Sequence, residues 1–224
     1  MPPATVPAPH ELHLMDAPVL TTGQLRQIFQ DPRDPRMLIK VLRADAIERR
    51  WGGRARWYKR LPRTLHYGGY VREFKEYIAT RARKPELEAP IAHVVGIVHT
   101  DLGLGLVTEK VQAADGGLAP TLAALYERER GFSPAIERAL ARFLDDLLAC
   151  NVIVGDMHAW NIVHGSDSRS GERFVLIDGF GEKHLVPLAS MSRRFNARNT
   201  RKLYRRMREQ LQRLVPLGST TSSG

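Results

Sequence analysis

Between Ser133 and Gly181 the hydrophobic period of the chain changes from helical to strand-like, and few folds accommodate the order in which it does so. Ser133 can accept a bond from the first turn of a helix, and Pro134 suits the first helical position. Ile136, Leu140, Phe143, Leu147 and Leu148 then recur on one face, which predicts an amphipathic helix ending near Asn151. Val152–Val154 reads as a short apolar strand. Asn161–His164 and Arg173–Ile177 flank the polar run Gly165–Gly171, which predicts a hairpin. Asp156 precedes this hairpin, Asn161 opens its first strand, and Asp178-Gly179 closes its second. A hairpin folds back on itself, so Asp178 should come near Asn161. Those two side chains offer hard oxygen atoms of the kind Mg²⁺ prefers. Asp156 then stands apart, free to orient or deprotonate a nucleophile.

The segments before and after this core have a different character. Pro18–Thr22 and Leu25–Gln30 read as short strands around Gly23, and Asp31–Arg36 as a proline-rich turn. Met37–Leu42 reads as a buried strand with Lys40 in its middle. Arg49–Arg63, broken by Gly52, Gly53 and Pro62, reads as an irregular basic insertion. Tyr70–Lys84 has helical spacing. Ile91–His99 and Gly105–Val111 read as strands joined by the turn Thr100–Gly103. Pro120–Arg130 reads as a helix with Gly131 after its end, and Ser190–Leu214 as the last helix. The order predicts an α+β chain of two lobes in one cooperative unit. A flexible arm (1–17) leads into a β-rich lobe (18–111) with a basic insertion (49–66). A mainly helical lobe (112–215) and a disordered tail (216–224) follow.

Charge is unevenly distributed. Lys and Arg number 34 against 24 Asp and Glu, for a net +10. Arg193–Leu214 alone carries +8 and Arg49–Arg63 carries +7, so the rest of the chain is net −5. Two such patches, 193–213 and 49–63, attract polyanions, or else form solvated surfaces. A single cysteine excludes an internal disulfide framework and points to a reducing, cytoplasmic compartment. No apolar run approaches the roughly 20 residues of a membrane helix, and the proline-rich start lacks the regions of a signal peptide. Cys150, His158 and His164 match no common zinc spacing.

Asp-x4-Asn, hairpin and Asp-Gly follow one another as in phosphotransferases of the protein-kinase type. Lys40, flanked by apolar residues far upstream, resembles the phosphate-pairing lysine of such proteins; read alone, it is an edge lysine reaching for solvent. Glu73 is the favoured carboxylate partner for it, and Glu76, one turn on, is the competitor. With Ile39-Lys40-Val41, Arg72-Glu73, Thr100–Glu109, Asp115-Gly116-Gly117, Asp156–Asn161 and Ile177–Gly181, the chain resembles the bacterial YrbL-type family of PhoP regulatory network proteins, within the protein-kinase-like superfamily. The resemblance implies a bilobal kinase-like fold with a small β-rich N-lobe, a reduced helical C-lobe, and ATP and Mg²⁺ in the cleft. Lys40 would touch the α- and β-phosphates and Glu73 would hold that lysine. Backbone groups of Glu109 and Val111, in the strand joining the lobes, would hold adenine. Asp156 would be the catalytic carboxylate, and Asn161 and Asp178 the metal ligands. Gly23 is all that remains of a phosphate-gripping glycine loop. Val154-Gly155 replaces the usual His-Arg, only 46 residues follow Asp178, and no Ala-Pro-Glu element is present. The acceptor is therefore open among small molecules, lipid-linked groups and proteins. A non-catalytic nucleotide-binding regulator and a polyanion-binding protein are the alternatives.

Overall fold

A computed structural model describes residues 12–52, 64–182 and 192–214. The first part of the expected arm (1–11), most of the basic insertion (53–63), residues 183–191 and the tail beyond 214 lie outside the described residues. The described chain is mixed α+β and divides into two units, 1–71 with 93–110 and 72–92 with 111–224.

The first unit is built on five antiparallel strands: β1 (Val19–Thr22), β2 (Arg26–Asp31), β3 (Asp34–Leu42), β4 (Val94–Thr100) and β5 (Gly103–Glu109). Their order is β1-β2-β3-β5-β4. Ile39 and Val41 point to one face of β3, where they pack with Leu12, Leu14, Phe29 and Val107. Lys40 belongs to the opposite face, because side chains alternate along a strand. Its neighbours in register are Ile28 and Leu106.

Two expectations for this unit change. Residues 12–17, assigned to a loose arm on sequence, are anchored. Leu12 forms a parallel bridge with Thr100, and Leu14 is fully buried. Asp101 fixes the segment by accepting from the Leu14 N–H at 2.8 Å and the Met15 N–H at 3.2 Å. The basic insertion begins later than expected, because Ala44–Trp51 forms a helix, α1. Of its residues only Ala46 is buried, and its Ncap Arg43 makes no side-chain cap, so the usual sequence signals are missing.

The second unit carries most of α2 (Gly68–Arg83), then α3 (Leu122–Glu129), α4 (Pro134–Ala149), the hairpin strands β6 (Ile162–Gly165) and β7 (Arg173–Leu176), and α5 (Arg193–Leu214). Ser133 caps α4 as its sequence predicts, with Oγ accepting from the Ile136 N–H at 3.3 Å. Losing such a cap costs about 1 kcal/mol. Ser133→Ala should therefore lower the urea midpoint by that equivalent, whereas Ser133→Gly should lower it less. At the end of α3 the left-handed residue is Arg130 (φ 51°), with Gly131 following it. Gly131 thus follows the helix end, where the sequence puts it. Ile162 and Leu176 pair in the hairpin, whose core side packs Val163 and Val175 with Val111 and Ala119.

Val152–Val154 is not a strand. It is a buried extended segment with a single bridge, Val154 to Phe180. Side chains meet three of its backbone groups and backbone partners meet others, as burial requires. The Ile153 N–H donates to Glu76 (2.8 Å), and the Val152 carbonyl accepts from Asn196 Nδ2 (2.9 Å). The Val154 carbonyl accepts from Asn199 Nδ2 (3.4 Å), and the Ile153 carbonyl from the Gly181 N–H (2.8 Å).

Candidate functional site

Directly after this segment the chain turns through Gly155 and Asp156. The N–H groups of both donate to one acceptor, the Gly179 carbonyl, at 2.9 and 2.8 Å. On the other side of the hairpin base, the Ile177 N–H donates to the Asn161 carbonyl at 2.8 Å. The loop that bears Asp156 and Asn161 is thus stitched to the turn that bears Asp178. All three side chains are half-buried. The Asp178 carboxylate accepts from the Gly179 N–H through Oδ1 at 2.6 Å.

This closure explains why glycine follows Asp178. Gly179 has φ 84°, a conformation L side chains rarely adopt, and a Cβ there would overlap the Asp156 carbonyl. Gly181, at φ 92°, has the same constraint against the Arg72 carbonyl.

Three supporting residues escaped the sequence reading. His158 Nε2 lies 2.9 Å from Asp156 Oδ1, so the histidine that matched no zinc spacing is a neighbour of the candidate carboxylate. Asn196 and Asn199 of α5 hold the segment leading into the loop. Their spacing of three on a helix was visible in the sequence, but nothing there indicated which backbone they would meet. Cys150 is buried, and that burial pushes its thiol up from the ordinary value. His164 stacks on Phe174. Among the described residues no group of three or more His, Cys, Asp or Glu could hold a metal ion. Asn161 and Asp178, a pair of hard oxygen donors, are a smaller set than such a group.

Glu73 and Glu76 are both buried on α2. Glu76 accepts the Ile153 N–H, which ties α2 to the segment before Asp156. Burial pushes the Glu76 carboxyl up to about 7, against the lowering effect of that same hydrogen bond.

The remaining expected residues lie in or beside the first sheet. Lys40 is 5% exposed, not an edge lysine reaching for solvent, and its carbonyl accepts from the Tyr70 hydroxyl at 2.7 Å. Gly23 sits in the exposed β1–β2 turn. Its N–H donates to the Arg26 carbonyl (2.8 Å) and its carbonyl accepts from Arg43 (3.1 Å), so the turn closes on itself. Glu109 ends β5, and its N–H donates to the His93 carbonyl at 2.9 Å. Val111 falls beyond the strand, in the second unit, and its carbonyl accepts from the Ala119 N–H at 3.1 Å. Those engaged groups are removed from the set that could face a purine.

Arg194, Arg198, Arg201, Lys202, Arg205 and Arg208 have spacings that put several of them on one face of the last helix, but Arg208 is not available to an external anion. It makes a two-pronged ion pair with Glu137 of α4, both bonds at 2.6 Å, and lies over the Phe132 ring. Among the described residues no helix is long and apolar enough to cross a membrane.

Comparison with known proteins agrees with this arrangement at the level of family. The protein YrbL of Escherichia coli (strain K12) is 26% identical over 201 residues, covering 87% of this chain and 85% of the relative. YrbL of Shigella flexneri matches to the same extent. A family model described as PhoP regulatory network protein YrbL matches residues 12–212, which takes in both units and every candidate residue discussed above, so the chain belongs to the YrbL family.

Proposed function

We propose that this protein is an ATP- and Mg²⁺-dependent phosphotransferase of the protein-kinase-like superfamily, its two units corresponding to the two lobes of that fold. The observation that carries the reading is the double hydrogen bond from Gly155 and Asp156 to Gly179. It ties the loop that bears Asp156 and Asn161 to the turn that bears Asp178 at the base of a hairpin. Mg²⁺ binds through one or two protein oxygens and completes its shell with phosphates and water, so Asn161 and Asp178 suffice as a donor set. When bound, the metal would supply charge neutralisation on the phosphates. The chain's own work would be positioning. Asp156, steadied by His158, would orient an acceptor hydroxyl and take its proton. Lys40 would contribute a fixed positive charge for the phosphates, with Glu73 as its partner.

A second reading has its own support. The Gly23 turn spends both of its backbone groups internally, which suits a nucleotide-binding regulator without turnover better than a phosphate-gripping loop. Calorimetric titration with ATP, with and without Mg²⁺, tests the two together against the rest. Saturable binding that strengthens with Mg²⁺ is expected. Heat indistinguishable from dilution in both titrations would remove nucleotide from the function altogether. Once binding is seen, release of inorganic phosphate to water separates the enzyme from the regulator.

A further inference from the structure

We propose that the outward face of α5 docks on the phosphate backbone of duplex DNA. The helix buries Asn196, Thr200, Met207 and Leu211 as one stripe. At 100° per residue, Arg198, Lys202 and Arg205 fall within about 30° of the opposite direction, and Arg194 and Arg201 flank them at about 50° and 70° from it. All five are exposed, and none makes an ion pair with a described residue. Several arginines elsewhere in the described chain are paired. Arg33, Arg36, Arg43, Arg81 and Arg173 each hold a carboxylate. On α5 itself, Arg208 is neutralised by Glu137 of α4, and Arg193 donates to the Ala149 carbonyl at 3.4 Å.

The spacing of the outward cations fits one polyanion in particular. The five cations run from Arg194 to Arg205, about 17 Å of a helix about 33 Å long, or about half a turn of B-DNA. The steps between them along the axis are about 6, 4.5, 1.5 and 4.5 Å, within side-chain reach of phosphates along a strand. The B-form major groove admits an α-helix, whereas that of A-form RNA is too narrow. A membrane surface is a poorer match. Helices that lie on lipid bury an apolar face in it, and α5 already spends its apolar stripe inside the protein. Phe195, in the first turn, is its one large described apolar side chain left exposed, and it lies to the side of the cationic stripe.

The test is fluorescence anisotropy of the full chain with a labelled duplex DNA of about 20 base pairs across about 50–200 mM KCl. Four or five phosphate contacts predict a log–log slope near −4 and a loss of roughly two hundredfold in affinity over that range. The variant R194Q/R198Q/R201Q/R205Q changes only exposed side chains; circular dichroism verifies its fold. Its slope should fall to about −1, with affinity at the lowest salt down by about a hundredfold or more. Arg208→Gln should leave the slope unchanged, because Arg208 is already paired. An unaltered slope in the fourfold variant would overturn the proposal. So would binding to vesicles of equal phosphatidylglycerol and phosphatidylcholine, or to duplex RNA, without binding to DNA.

Discussion

Asp156→Asn is expected to leave Mg²⁺-dependent ATP binding intact and to slow phosphate release by ~10²–10⁴-fold, the range typical of a lost general base. Asp178→Asn is expected to do the reverse at the binding step. It removes a formal charge from the metal's donor set, so ATP should bind at least about tenfold more weakly when Mg²⁺ is present, while metal-free binding changes little. The contrast follows from local geometry. Asp156 contributes its backbone N–H to the closure with Gly179, and that contact survives the change to Asn. Asp178 keeps one oxygen on the Gly179 N–H, and an Asn there retains that acceptor. Neither substitution should unfold the loop, so the readouts separate chemistry from structure. Equal hydrolysis by wild type and Asp156→Asn would remove the catalytic assignment. Equal Mg²⁺ dependence in wild type and Asp178→Asn would remove the metal assignment.

Much of the frame around these residues was legible because it rests on strong local signals. Ser133-Pro134 caps a helix whose apolar stripe runs its whole length, and the two apolar runs around Gly165–Gly171 pair as the pattern requires. The backbone bond from Ile177 to Asn161 at the hairpin base also follows from that pairing. What stayed hidden depends on partners distant in sequence. Leu12 and Leu14 lie after a proline-rich stretch, and their anchor, Asp101, stands 87 residues away from Leu14. The α1 helix buries a single alanine, so no apolar period marks it. Val152–Val154 has strand composition but takes its hydrogen bonds from Glu76, Asn196 and Asn199, side chains whose targets no periodicity encodes. The charge of α5 was plain in the sequence. That Arg208 faces inward and is neutralised required the position of Glu137 on another helix.

Glu76 is one of those distant partners, and it gives the protein a pH-dependent stability. In the unfolded chain its carboxyl titrates near the ordinary value of 4.5; in the fold, burial raises it to about 7. Between those values the folded state holds more protons than the unfolded state, so stability falls as pH rises through this window and is level above it. The full effect is about 3 kcal/mol, reached only when Glu76 is ionised inside the protein. Glu76→Gln keeps an oxygen for the Ile153 N–H and removes the titration. Urea unfolding at steps between about pH 5 and 8 should therefore show the two proteins nearly equal at the acid end. Toward the alkaline end the variant should draw ahead by up to about 3 kcal/mol. Parallel curves would mean that Glu76 is ionised throughout, held by charges other than the Ile153 amide. Because Ile153 leads directly into Gly155 and Asp156, the same substitution carries a second consequence. Above pH 7 the wild-type segment before the site must accommodate a buried carboxylate, and the variant's need not. Amide exchange at Ile153 and Gly155 should rise with pH in the wild type by more than base catalysis alone supplies, and in Glu76→Gln by base catalysis only.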